Sequence, residues 1–286
     1  MKIYMKNKAL KQDESPLSQV QAEIMKIESD FLEHGLVIHR TPRQDLLEKI
    51  IESIQVISEA ILKKPLPVDV YTFLQKTHEH VPVEQLNSFR LAVYQQLNAL
   101  VWFRDAYYEM GKFILDTLVG DELAMQNRIN LSIQCPSDNS SLLSIHSDAF
   151  SGETPFQLVM WTPLVDVSGT QSMFKIDPET SFQSIENLRD YRSTLELQNA
   201  HESKMEFLTI RRGEVMVFCP NILHGNITNT EQLSRWSFNV RFKSLWSPYN
   251  HIDGNEKKLG SFYIPHRIKP LTRFGLRWRE PLPFKE

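Results

Sequence analysis

The stretch Arg128-Ile-Asn-Leu-Ser-Ile-Gln-Cys135 alternates polar and apolar residues along its whole length. Successive side chains of a β-strand point to opposite faces of a sheet, so this alternation predicts a strand with one buried face. Further strand-like runs follow it, separated by turn-forming clusters, at residues 156–165, 172–176, 205–210, 215–218, 223–228 and 235–245. Many short strands with turns between them predict a β-sandwich or a β-barrel.

The residues that precede this stretch have a helical period instead. Apolar residues recur three and four positions apart, as on one face of an amphipathic helix, at positions 47, 50, 51, 54, 57 and 61. Thr41-Pro42 predicts the N-cap and first residue of this helix, and Lys63-Lys64-Pro65 predicts its end. We expect an earlier helix to stop at Gly35 and a long periodic stretch from Pro82 to about Leu118 to contain a break.

Together these patterns predict one compact domain over residues 1–286. A helical N-terminal layer, residues 1–120, is expected to pack on a β-rich core, residues 121–250. A helical insertion is expected over about residues 181–197, and the remaining 251–286 are expected to pack on the core as an extended C-terminal segment. We find no linker-like stretch, internal repeat or low-complexity tract that would divide the chain.

The composition narrows the class of protein. Apolar residues make up 41% and charged residues 23%, which is typical of a globular chain. The formal net charge, 32 − 35 = −3, provides no basic field for nucleic acid or for an anionic membrane. Gly is sparse and no phosphate-binding glycine loop is present, while Cys135 and Cys219 are too few for a disulfide scaffold or a cysteine zinc finger. Without a signal-like or membrane-spanning segment, we expect a soluble, cytoplasmic protein that acts on a small molecule.

His146-Ser147-Asp148 is the first motif with chemical content. Residues i and i+2 of an extended segment point to the same side, so the imidazole and the carboxylate can reach one metal ion. His224 follows a predicted turn, strand and turn, and can return a third ligand. Two histidines and one carboxylate form the facial triad of non-haem Fe(II) oxygenases. For the His-x-Asp pair alone, the alternative is a capping aspartate beside a hydrogen-bonded histidine.

Arg235 strengthens the metal interpretation, because it lies 11 residues after His224 across a predicted reversal at Thr228-Asn229-Thr230. A guanidinium pairs bidentately with a carboxylate, which is what the far end of 2-oxoglutarate requires. Arg241 shares the strand face at a spacing of six and is the rival for this role, although a structural role is expected for it.

These residues resemble the Fe(II)/2-oxoglutarate-dependent dioxygenase superfamily. The run Arg235-Trp-Ser237-Phe-Asn-Val-Arg241 is similar to a motif of the phytanoyl-CoA hydroxylase-like branch. The stretches Asn130–Pro136, Ser140–Gly152 and Trp161–Asp166, with Ser172-Met173, resemble dioxygenases found sporadically in bacterial carbohydrate clusters. The resemblance covers roughly residues 125–250. Ile176–Ser181 departs from the family's Pro-Gly-Ser-His pattern, which leaves the substrate-side lid undefined.

The resemblance implies a double-stranded β-helix, or jelly roll, with Fe(II) as cofactor and 2-oxoglutarate and O2 as co-substrates. His146, Asp148 and His224 would bind the iron and carry the catalysis. Arg235 would hold the distal carboxylate of 2-oxoglutarate, with Ser237 as a second donor. Related halogenases carry a small residue in place of the aspartate, so Asp148 favours hydroxylation. The implied substrate is a carbohydrate-related metabolite or surface-glycan precursor.

Several residues and functions stay open at this point. Gln134 and Ser132 share a strand face and either line the 2-oxoglutarate pocket or serve as ordinary barrel polar groups. His78-Glu79-His80 is expected to be a solvated polar segment, and His251 and His266 are expected to be surface or packing residues. The alternative functions are a cupin-like, metal-dependent sugar isomerase or epimerase and a non-catalytic sugar-binding jelly roll. Metal analysis and 2-oxoglutarate turnover would discriminate among them.

Overall fold

The computed structural model describes residues 16–248 and 257–277. Its helices are α1 Pro16–His34, α2 Gln44–Leu62, α3 Val70–Gln75, α4 Thr77–His80, α5 Val83–Ala99, α6 Phe103–Leu118, α7 Pro178–Glu186, α8 Thr194–His201 and α9 Pro270–Gly275. Its strands are β1 Leu36–Arg40, β2 Leu123–Gln126, β3 Asn130–Gln134, β4 Gln157–Pro163, β5 Phe174–Lys175, β6 Glu206–Phe207, β7 Glu214–Phe218, β8 His224–Gly225, β9 Arg235–Ser244 and β10 Tyr263–Arg267.

The strands form a large and a small antiparallel sheet. The seven-stranded sheet has the order β1-β7-β4-β9-β2-β10, and β3 also pairs with β9. The small sheet has the order β6-β5-β8. The chain is therefore a mixed α/β protein with a large antiparallel sheet. Every strand predicted from residue 128 onward is confirmed. Some of these strands match the predicted bounds within one or two residues, and the others are shorter than the predicted run.

The helices of the first 118 residues cover the large sheet through a continuous apolar core. The stripe predicted for α2 is buried at Leu47, Ile50, Ile51 and Ile54, and α2 packs against α5 and α6. The expected break in the long periodic stretch is confirmed, because α5 ends at Ala99 and α6 begins at Phe103. The single-domain interpretation stays a prediction.

Three strands and one cap differ from the sequence expectation. β1 lies inside the region expected to be wholly helical, directly after the helix stop at Gly35, and it pairs with β7. β2 is buried at all four positions, so it carries no alternation, and β10 pairs with it. Short strands of this kind are defined by a partner far along the chain and leave no local period. The Thr41 hydroxyl accepts a hydrogen bond from the Arg43 amide, and α2 begins only at Gln44, so the cap predicted at Thr41-Pro42 is wrong.

The insertion and the tail also differ in detail. The insertion consists of α7 and α8 joined through a 3-10 turn at Leu188–Asp190, not of one helix over residues 181–197. The tail is not wholly extended, because residues 270–275 form α9, where Pro270 occupies the first turn. Cys135 and Cys219 are both free thiols. Within the described part of the chain, no helix combines the length and the apolar character needed to cross a bilayer.

Candidate metal centre and its cavity

Backbone pairing brings the His-x-Asp motif and His224 together. His146 and His224 form an antiparallel bridge in which each amide donates to the other residue's carbonyl at 2.9 Å. The Asp148 amide donates to the Pro220 carbonyl at 3.0 Å, and Asp148 begins a 3-10 helix that ends at Ser151. The segment that precedes His224 therefore holds both halves of the motif.

The three side chains present one ligand atom each to a common point. These atoms lie within 4.8 Å of one another. His146 Nδ1 lies 2.8 Å from the Ser144 carbonyl, and His224 Nδ1 lies 2.9 Å from the Ile222 carbonyl. A carbonyl only accepts hydrogen bonds, so both Nδ1 atoms are donors, and Nε2 is the ring nitrogen that each histidine can offer to a metal.

The local electrostatics favour the protonation states that a metal ion needs. Burial, aided by the neighbouring His146, lowers the pKa of His224 to about 4, so the ring is neutral near pH 7. Burial alone would raise the pKa of Asp148. The interaction with His146 and the positive charge of Arg241 outweigh burial and hold this pKa below its usual range. The neutral imidazole of His224 and the ionised carboxylate of Asp148 therefore have the protonation states that a metal ion requires.

Arg241 holds the second oxygen of Asp148. Its Nη2 lies 2.8 Å from Asp148 Oδ2, while Asp148 Oδ1 lies 3.6 Å from His146 Nε2. Arg241 Nε lies 3.2 Å from Oε1 of the buried Glu153, which also pairs with Lys257 at 2.6 Å. A single sequence shows no signal for Glu153 or Lys257, because the spacing from Asp148 matches no motif.

Arg235 lies on the same wall, at the start of β9. Its guanidinium donates to the Gln171 carbonyl at 3.2 Å and, weakly, to the Ser132 hydroxyl at 3.5 Å. Its Nε is buried without a hydrogen-bond partner. Burial lowers the pKa of Arg235 to about 10, so it stays protonated at neutral pH. Within residues 16–248 and 257–277, no carboxylate lies within 4.0 Å of this buried cation.

Gln134 and Ser237 lie beside Arg235 in the sheet. Gln134 is opposite Arg235 in the β3–β9 register, and Ser237 is opposite Ser132. The Gln134 amide nitrogen donates to the Ile227 carbonyl at 2.7 Å, while its oxygen and the Ser237 hydroxyl are buried without partners. Of these four residues, only Ser132 and Arg235 line the cavity that also contains His146, Asp148 and His224; we call it the metal cavity.

One cavity of about 310 Å³ contains the whole constellation. His146, Asp148, His224, Arg235 and Arg241 line it together, as the predicted reversal after His224 requires. The rest of its wall mixes amide and apolar side chains, chiefly Asn130, Asn226, Asn239, Trp161, Met173 and Phe218. The cavity therefore joins a metal-competent triad to a buried cation.

The weaker candidates have other surroundings. His78 Nδ1 lies 2.8 Å from the Ser234 hydroxyl, and His80 stacks on Phe73. His266 is buried and packs edge-on against Tyr108 at 4.7 Å between ring centres, so it is a packing residue. In the loop after Asp148, Ser151 lines the cavity and Phe150 is exposed. His251 lies outside the described residues.

No family model matches the sequence, and no curated protein matches it. Among solved structures, the nickel complex of the non-heme monooxygenase ThoJ has a TM-score of 0.51 and 16% identity, covering 87% of this chain and 94% of that chain. AviO1 from Streptomyces viridochromogenes Tue57 has a TM-score of 0.51 and 12% identity, covering 79% and 97%. EvdMO1 has a TM-score of 0.52 and 13% identity, covering 79% and 50%. At these identities, the likenesses show a common fold.

Proposed function

We propose that this protein is a non-haem Fe(II)/2-oxoglutarate-dependent oxygenase built on a double-stranded β-helix with a helical N-terminal layer. One observation carries the proposal: a His-Asp-His triad shares a cavity with a buried arginine that has no carboxylate partner among the described residues. The common fold with a non-heme monooxygenase supports it.

The donor set fits iron. Two imidazole nitrogens and one carboxylate oxygen match the ligands of the facial triad, which leaves open positions for co-substrates. Both rings are oriented by carbonyls through Nδ1, and the carboxylate is oriented by Arg241. Ligands held in this way present their lone pairs without reorganisation.

Arg235 fits a dicarboxylate co-substrate. A buried guanidinium without a counter-charge is costly, and a bidentate carboxylate removes that cost. The unpartnered Arg235 Nε and the neighbouring Ser237 hydroxyl are the donors that such a group would satisfy. Arg241 is already paired with Asp148 and Glu153, so Arg235 is the residue that we assign to the distal carboxylate of 2-oxoglutarate.

The roles of the chain's own groups follow from this assignment. When bound, iron supplies the chemistry by which O2 and 2-oxoglutarate oxidise a C–H bond of the substrate, with release of succinate and CO2. His146, Asp148 and His224 hold the metal, and Arg241 keeps Asp148 ionised and aimed. Arg235 orients 2-oxoglutarate through the end that does not react. Trp161 and Met173 contribute apolar surface to the cavity wall.

We further propose hydroxylation as the outcome, on a carbohydrate-related small molecule. Asp148 occupies the coordination position that a halide would need, which favours hydroxylation over halogenation. The carbohydrate assignment rests on the sequence resemblance of residues 130–152. The amide groups of Asn130, Asn226 and Asn239 in the cavity wall support it, since they are donors and acceptors suited to hydroxyl groups.

The proposal is tested by loading purified protein with Fe(II) without oxygen and adding 2-oxoglutarate. We expect a visible charge-transfer absorption and, on admitting O2, formation of succinate. The His224→Ala variant should show neither, while His34→Ala, at an exposed histidine on α1, should behave as the wild type. Zinc or manganese binding without succinate formation would instead support the isomerase alternative and contradict the proposal.

A further inference from the structure

A second cavity, of about 430 Å³, adjoins the metal cavity and shares Ser132 and Leu143 with it. It lies between helix α5, strand β3 and the segment 140–143. We call it the α5 groove; its polar wall is formed by Asn87, Arg90, Ser132, Ser140 and Ser141, and the other lining residues are apolar. Ser132 and Leu143 therefore lie at the boundary between the two cavities.

Arg90 gives the α5 groove a positive charge. Its Nη1 donates to the Leu131 carbonyl at 3.1 Å, and its Nη2 donates to Asn87 Oδ1 at 2.8 Å. These bonds use two of the five donors of a guanidinium. No acidic side chain lines the groove, and no carboxylate in the described part of the chain lies within 4.0 Å of Arg90.

Ser141 adds a hydroxyl group that lacks a partner. Its oxygen is buried and makes no hydrogen bond, whereas the neighbouring Ser140 hydroxyl donates to Asp138 at 2.9 Å. A buried hydroxyl without a partner is costly, and Ser141 lines the same groove as the Arg90 guanidinium, so the two residues together indicate a polar ligand. Asn226 of the metal cavity bonds the backbone of Ser141 and Leu143, which ties the groove wall to the metal site.

We propose that the α5 groove binds an anionic group, a phosphate or a carboxylate, of the substrate whose oxidised carbon lies in the metal cavity. The inference rests on the proposed function, because it places the two parts of one substrate in the two adjoining cavities. A guanidinium with unused donors and a hydroxyl in a wall without acidic groups match the charge and the acceptor oxygens of such an anion.

Arg90 also has a structural contact that the test must separate from binding. It bonds the Leu131 carbonyl of β3, and Asn98, also on α5, bonds the amide and the carbonyl of Ile129, the residue directly before β3. Asn98 does not line the α5 groove. Asn98→Ala is therefore the matched control, because it removes another contact between α5 and the start of this strand and leaves the lining of the groove unchanged.

The experiment titrates inorganic phosphate into metal-free protein and follows binding by phosphorus NMR. All proteins carry Arg235→Met, which removes the cation of the neighbouring cavity that has no carboxylate partner among the described residues and keeps a similar side-chain volume. Adding Arg90→Gln should weaken phosphate binding about tenfold or more, since a charge-assisted bond is lost. Adding Asn98→Ala should leave the phosphate affinity within about twofold. Equal affinity with and without Arg90, or no phosphate binding at all, would overturn the inference.

A second titration links the groove to the substrate and separates the two proposals. Paired sugars and sugar phosphates are offered to the Fe(II)-loaded protein with Arg235 intact; the phosphorylated members should bind more tightly, and Arg90→Gln should remove this preference. If the pairs bind equally, the inference is wrong. Arg90→Gln should leave 2-oxoglutarate affinity unchanged, so a wild type that binds phosphate but not 2-oxoglutarate would contradict the proposed function alone.

Discussion

At the scale of single residues, the metal hypothesis depends on three ligand atoms held by carbonyls and by one arginine. His224 is buried and lies on β8, which pairs with both β5 and the His146 segment. Two ligands rarely hold Fe(II) against water. His224→Ala should therefore abolish stoichiometric Fe(II) binding, measured by metal analysis after gel filtration. Retention of one iron per chain in this variant would contradict the triad.

Arg241 should act on the metal without touching it. Arg241→Met removes the partner of Asp148 Oδ2 and leaves all three ligands in place. Groups that orient a ligand commonly change metal affinity 10- to 100-fold, so we expect about tenfold weaker binding of Co(II) by calorimetry. Arg241→Lys should recover part of the loss, because it keeps the charge but not the planar fork. If Arg241→Met binds Co(II) like the wild type, Asp148 does not depend on this contact.

At the scale of elements, the close approach of β8 to the segment before His146 sets the spacing of the two histidines. A Cβ added at Gly225 would lie 2.7 Å from the Leu143 carbonyl oxygen, which is backbone and cannot turn away. Gly225→Ala should therefore separate the two segments and lower both the melting temperature and the metal affinity. Gly275→Ala is the control, since no atom lies within 4 Å of its added Cβ. Equal effects of the two substitutions would contradict this account.

His266 on strand β10 packs against Tyr108 and should make the stability of the protein depend on pH. Burial, aided by Arg104, lowers the pKa of His266 to about 4, below the value of about 6.5 in an unfolded chain. As the pH falls from 6.5 to 4, the unfolded chain binds the proton first, so stability present above pH 6.5 is lost across this window. The loss approaches about 3 kcal/mol, at ~1.4 kcal/mol per pKa unit.

This acid loss is measured by denaturant unfolding of the metal-free protein at several pH values. His266→Phe, which keeps an aromatic ring edge-on against Tyr108, should unfold with a correspondingly smaller pH dependence. His224 titrates in the same window in both proteins and cancels in the comparison. Identical pH profiles for the wild type and His266→Phe would show that His266 is not buried in solution.

The same elements show what the sequence predicts and what it leaves out. Alternation predicted β3, and three-and-four spacing predicted α2, while the strand-like run at residues 235–245 predicted β9. β1 and β2 were not predicted, since a short strand that is defined by a distant partner leaves no hydrophobic period in the sequence. The His-x-Asp motif and Arg235 were predictable from spacing. The contacts of Arg241 with Glu153 and of Arg90 with β3 were not, because they join residues 88 and 41 positions apart.

At the scale of the whole molecule, two arginines of β9 line the same cavity and have different partners. Arg241 pairs with the Asp148 carboxylate, and Arg235, six residues earlier on β9, has no carboxylate within 4.0 Å among the described residues. The helices that cover the sheet bring Arg90 to the edge of the same site. We therefore expect Arg235 and Arg90 to bind separate negative groups, in the two adjoining cavities.

The most direct test of the central claim is an anaerobic titration of 2-oxoglutarate into the Fe(II)-loaded protein, followed by the charge-transfer absorption. Losing one partner of a buried charged pair costs on the order of 2–5 kcal/mol. Arg235→Ala should therefore raise the Kd for 2-oxoglutarate about 30-fold or more, at ~1.4 kcal/mol per decade, and leave Fe(II) affinity nearly unchanged. An unchanged Kd for 2-oxoglutarate in Arg235→Ala, or a rise seen only in Arg241→Ala, would contradict the assignment of the two arginines.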